Sequence, residues 1–146
     1  MKLKRMDNVG IVVEDLAATI AFFSELGMEL EGEMRVEGSW ADHVVGLEGM
    51  QVDIAMMRIP GGPGRLELMS FVRPAAIQAE PKNAPANTLG IRRIMFAVED
   101  IKDVLTRLQS HGAQLIGKVE QYENSYLLCY VRSPEGFIIA LAEELN

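Results

Sequence analysis

The spacing of apolar positions changes period along the chain. Val9, Ile11 and Val13 alternate with Asn8, Gly10 and Val12. This is the period of two expected of a strand with unlike faces, and it predicts a strand from Met6 to Val13. The period then lengthens. Leu16, Ile20, Phe23 and Leu26 recur at helical spacing, predicting a helix from Leu16 to Leu26 with one apolar stripe. Asp15 is placed to cap its start, and Gly27 supplies the left-handed stop. Three strands are expected next, at Met28–Arg35, Val52–Arg58 and Arg65–Phe71, forming a meander. The last sets Leu66 and Leu68 opposite Arg65, Glu67 and Met69. Pro60-Gly61-Gly62-Pro63-Gly64 reads as a hairpin turn: it lacks the Gly-Lys-Ser/Thr ending and the following helix of a phosphate loop. Gly38 to Gly49 interrupts the pattern. There Trp40, Val44, Val45 and Leu47 predict a short helix or ordered loop that tucks apolar groups inward.

Residues 72–89 contain Pro74, Pro81 and Pro85 and little periodicity, after which the same grammar returns. Arg93–Val98 reads as a strand. Asp100 caps a helix with Ile101, Val104, Leu105 and Leu108 on one stripe, stopped at Gly112. Gln114–Gln121, Ser125–Arg132 and Phe137–Glu143 are three further strands, the last two joined by Ser133-Pro134-Glu135-Gly136. An offset of 85 residues carries Asp15 onto Asp100, Gly27 onto Gly112, Leu30 onto Leu115 and Gly32 onto Gly117. One supersecondary unit is therefore written twice. The expected architecture is α+β, two βαβββ modules with eight strands in a single domain, 1–146. Module one spans about 5–71, the connector about 72–89 and module two about 90–144.

Composition narrows the function classes. A chain of 146 residues, nearly half of them apolar, is a globular domain and not a disordered one. Fourteen basic against 21 acidic residues leave a net charge of −7, with no basic stripe to neutralise phosphates, so nucleic acid is not an expected partner. No apolar run approaches a membrane span, and Met1 to Arg5 is not followed by a signal-type apolar segment. A lone cysteine, Cys129, forms no internal disulfide and agrees with a reducing compartment, so a cytoplasmic location is expected.

The repeated βαβββ plan, Val-Glu-Asp-Leu or -Ile opening each helix, Gly-Arg-Leu-Glu-Leu at 64–68 and Ser-Pro-Glu-Gly at 133–136 together resemble the vicinal oxygen chelate superfamily, which groups glyoxalases, bleomycin-resistance proteins and extradiol dioxygenases. The resemblance covers about residues 5–144. It implies a curled eight-strand cup with the helices outside, and a homodimer by family habit. In metal-using members it implies a ligand near the start of each module's first strand and a Glu in each last strand. Together these hold a divalent ion that chelates two adjacent substrate oxygens.

Carried onto this chain, those four positions are Asn8, Glu67, Arg93 and Ala140. Glu67 alone is a good metal ligand. A guanidinium has no acceptor atom and repels a divalent ion, and Ala140 has no donor, so no cofactor is expected and a divalent metal is disfavoured. Arg93 is instead expected to stand in for the ion, gripping Glu67 through a two-pronged hydrogen bond with Asn8 completing the network. Tyr126, Tyr130, Met69 and Met95 share the ligand-facing parity and complete the candidate binding set.

Two readings of function follow. One is a metal-independent protein binding a small molecule in the cup. The other is a lyase or isomerase, of lactoylglutathione lyase or acyl-CoA epimerase type, with Glu67 as base and Arg93 as electrostatic stabiliser. A structural or regulatory module with an occluded cup is a third. His43, beside Trp40 and Asp42, and His111, at a helix end, are the only histidines, and neither forms a triad. Cys129 is expected to be a packed thiol within a strand.

Overall fold

The computed structural model describes residues 1–146. The chain divides into two compact units, Met1–Ile77 and Gln78–Asn146, and the division falls inside the proline-containing connector.

In the first unit, β1 (Val9–Val12) leads to α1 (Leu16–Leu26), β2 (Glu29–Glu37), α2 (Ser39–Val45), β3 (Gln51–Arg58) and β4 (Arg65–Arg73). The strands form a four-stranded sheet in the order β1-β4-β3-β2. β2, β3 and β4 run as an antiparallel meander, while β1 pairs with β4 in parallel. The second unit repeats this with β5 (Arg93–Ala97), α3 (Ile101–Ser110), β6 (Gln114–Tyr122), β7 (Tyr126–Arg132) and β8 (Ile138–Glu144) in the order β5-β8-β7-β6.

The repeat extends to backbone detail. Asp15 accepts a hydrogen bond from the Ala18 amide and Asp100 one from the Asp103 amide, so each helix starts on an aspartate cap. Gly27 and Gly112 follow the helices at φ of 121° and 88°. The pairing of β2 with β3 shifts register between Leu30 and Gly32, and that of β6 with β7 shifts between Ile116 and Glu120. Gly32 and Gly117, matched by the offset, thus both lie at register irregularities, although β6 is displaced further than β2.

Each sheet has one closed face. In the first unit it carries Val13, Leu66, Leu68, Ala55 and Met57, all buried, against α1. The stripe of α1 is centred one position away from the expected one, on Thr19, Phe22 and Phe23. Thr19 can be buried because its hydroxyl donates to the Asp15 carbonyl at 2.8 Å. In the second unit the closed face carries Cys129, Val131, Ile139 and Leu141 against Ile101, Leu105 and Leu108 of α3.

The insertion departs from expectation. α2 forms, but Trp40 and Val44 are 63% and 76% exposed, and Val45 and Leu47 are exposed as well. A helix of seven residues turns little more than one small side chain inward, and that side chain is Ala41. The Asp42 carboxylate then accepts from the Gly49 and Met50 amides, each at 2.9 Å, which draws the chain back and buries Met50.

Candidate functional site

The sheet face turned away from the helix is where the sequence places every candidate ligand-facing residue. In the first unit this face splits into two halves. Ala41 and Met50 cluster with Val52 and Ile54, and Val36, Met56, Met69 and Phe71 pack against that cluster. One half is therefore filled. Met69 lies at its border: a Cβ added at Gly10 would come within 2.9 Å of the Met69 methyl, so Gly10 makes room for the thioether.

The other half is polar. Glu67, half-buried, is flanked by Gly10 on β1 and Met56 on β3. Asn8 precedes β1, and its side-chain amide donates to the Asp7 carboxylate at 3.0 Å. Asp7 also takes a hydrogen bond from Arg5 at 3.2 Å. That bond first, then the Asn8 one, hold the Asp7 carboxyl below the usual aspartate range. Arg65, two residues before Glu67 on the same face, pairs with Glu31 and stands 3.8 Å from Asp7. It lines a groove of about 500 Å³ at the β3–β4 hairpin, with Arg5, Glu31, Arg58 and Ile59. The groove was not anticipated from the sequence, although the alternation that singles out Glu67 applies equally to Arg65. Its arginines are neutralised, Arg5 by Asp7, Arg58 by Glu29 and Arg65 by Glu31.

In the second unit Arg93, Met95, Tyr126 and Tyr130 share the face away from α3. Register sets Met95 and Tyr130 on either side of Ala140. The Arg93 guanidinium carbon lies over the Tyr130 ring, 5.2 Å from its centroid. Met95 is 48% and Tyr126 39% exposed, so both are open to solvent, while Ala140 and Ala142 of β8 are buried. Tyr122, opposite Tyr126, is exposed.

Ligand chemistry at the four implied positions does not suit a divalent ion. The Asn8 amide is engaged with Asp7, Arg93 is a cation set on an aromatic ring, and Ala140 is a buried methyl. No three His, Cys, Asp or Glu side chains are grouped so as to hold a metal. His43 is exposed in the last turn of α2, and His111 is the C-cap of α3. Cys129 is buried on the closed face of β7, and burial pushes its thiol pKa up, away from the reactive thiolate. No helix is long and apolar enough to cross a membrane.

Comparison with known proteins agrees with this architecture. The solved structure of a glyoxalase family protein from Bacillus cereus superposes with a TM-score of 0.95 at 55% identity, covering 100% of this chain and 97% of that one. The uncharacterized protein YaeR of Escherichia coli is 26% identical over 146 residues, 97% of this chain and 98% of its own length. TnmS3, an antibiotic binding protein from Streptomyces, shares the fold at a TM-score of 0.62 and 16% identity, covering 99% of this chain and 98% of its own. The model of the Glyoxalase/Bleomycin resistance protein/Dioxygenase superfamily matches residues 7–130. The chain belongs to that superfamily.

Proposed function

We propose that the chain is a small-molecule-binding member of this superfamily that works without the usual divalent metal. The ligand-facing residues are Asn8, Glu67 and Met69 on the first module and Arg93, Met95, Tyr126 and Tyr130 on the second. The observation that carries the reading is Arg93 itself: a permanent cation occupies a position that the family's metal chemistry gives to an electron-pair donor. That an antibiotic binding protein has the same fold supports small-molecule binding as a use of this scaffold.

A lyase or isomerase activity is the second reading, and Glu67 favours it. This carboxylate is half-buried on the open face and forms no ion pair within its own module, so it is available as a base. The two readings separate on turnover of the methylglyoxal–glutathione adduct with zinc, nickel or manganese added. Binding alone predicts no metal-dependent turnover, whereas turnover lost in Glu67→Gln would establish the enzyme. A cytoplasmic homodimer is the expected context. Sedimentation at micromolar concentration tests the dimer, and a monomer would remove it.

A further inference from the structure

Resting on the small-molecule reading above, we propose that Arg93 is an anion anchor. In this role it makes the open face of module two select flat, apolar ligands that end in a carboxylate or similar oxygen anion.

Most arginines of the chain are partnered. Arg5, Arg35, Arg58, Arg65 and Arg107 each pair with a carboxylate. Arg73 and Arg132 donate to the carbonyls of Gly49 and Gly136, and Arg92 is half-buried with its Nε unpartnered. Arg93 is exposed, has no carboxylate partner in its own unit, and rests on the Tyr130 ring. An aromatic face attracts the cation but has no lone-pair acceptor, so N–H groups directed away from the ring remain available to an anion. Such a donor fork suits a two-oxygen anion. In a chain of net charge −7, such a local cation also decides where an anion can settle.

The surroundings set the rest of the ligand. Met95 on β5 and Tyr130 on β7 flank Ala140 of β8 and cover it, leaving Met95 itself exposed. A planar apolar body suits the exposed surface beside Arg93, which offers the pliable Met95 thioether and the Tyr130 and Tyr126 rings.

The test compares 2-naphthoate with 2-naphthamide, which has the same ring system and no charge, by isothermal titration against the whole protein. The acid is expected to bind at least about tenfold more tightly, the scale of a charge-assisted hydrogen bond. Arg93→Met should remove that preference, so that acid and amide bind alike. Arg93→Lys, which keeps the charge without the fork, should retain only part of it. Tyr130→Leu, which keeps Arg93 but frees it from the ring, should weaken the preference. Circular dichroism confirms that each variant is folded. Equal binding of acid and amide, or a preference that survives Arg93→Met, overturns the anchor and leaves small-molecule binding standing. If neither compound binds the wild-type protein, the anchor is overturned for flat apolar anions, and small-molecule binding is decided separately by the turnover experiment with added metals.

Discussion

Leu68 and Glu67 are consecutive residues on a central strand, and the two-faced sheet makes opposite demands of them. Leu68 is fully buried on the closed face, with Ile11 and Ala55 as its strand partners. Leu68→Ala removes three carbons from a dry site at about 0.8 kcal/mol each. It also leaves a cavity that rigid strands on both sides cannot fill, for a total of roughly 3–4 kcal/mol. Against an ordinary domain stability of about 5–15 kcal/mol that loss is large. Glu67→Gln keeps the side-chain volume on the open face and should move stability by no more than about 0.5 kcal/mol. Equilibrium urea unfolding measures both, with far-ultraviolet circular dichroism following the whole chain. Trp40, the only tryptophan, reports on the first module. The reasoning is refuted if Glu67→Gln costs as much as Leu68→Ala, or if Leu68→Ala costs less than about 1 kcal/mol.

Asp15→Ala and Asp100→Ala should each lower stability by about 1 kcal/mol through loss of a helix cap. Their effects in chemical denaturation should add to within roughly 0.5 kcal/mol, since the caps lie in different units. Gly136 has a φ of 105°, and a Cβ there would sit 2.7 Å from the Lys82 carbonyl oxygen, whereas a Cβ on Gly27, at φ 121°, meets nothing within 4 Å. Gly136→Ala should therefore lower the melting temperature clearly more than Gly27→Ala, which carries the backbone strain alone. The Arg35 hydrogen bond holds the Asp53 carboxyl below its ordinary 3.8. A depressed folded-state pKa contributes stability above the unfolded value, which is lost as pH falls through the folded one. A carboxyl NMR titration should find the Asp53 midpoint higher in Arg35→Met than in the wild type, and an unchanged midpoint would count against the pair.

The modules were legible because their signal is redundant. The two-residue alternation, the aspartate caps, the stop glycines and the bulge glycines each occur twice at one spacing, so the chain supplies its own internal comparison. α1 matches its expected limits, Leu16–Leu26, for that reason. The insertion has no counterpart in module two, and there the sequence misled. Trp40 and Val44 read as core because they are apolar, but their burial depends on where Asp42 pins the chain, and an aspartate whose acceptors are spent on distant backbone amides has no local pattern. Thr19 was missed for a related reason: a hydroxyl looks polar until its hydrogen bond to Asp15 is known. For the site, strand parity placed Glu67, Met69, Arg93, Met95, Tyr126 and Tyr130 on the open faces. It could not supply partners, and so neither the Arg93–Tyr130 contact nor the Asn8–Asp7 bond was foreseen.

The central claim is that this chain presents an arginine at a position where its resemblance to the superfamily's metal-using members implies a metal ligand. Metal content, measured on protein equilibrated with zinc, nickel and manganese and then freed of excess by gel filtration, tests it most directly, with Glu67→Gln run alongside. The account predicts that the wild-type protein retains far less than one equivalent of any of the three metals and does not differ from Glu67→Gln. A full equivalent of metal in the wild type, lost on Glu67→Gln, would contradict it.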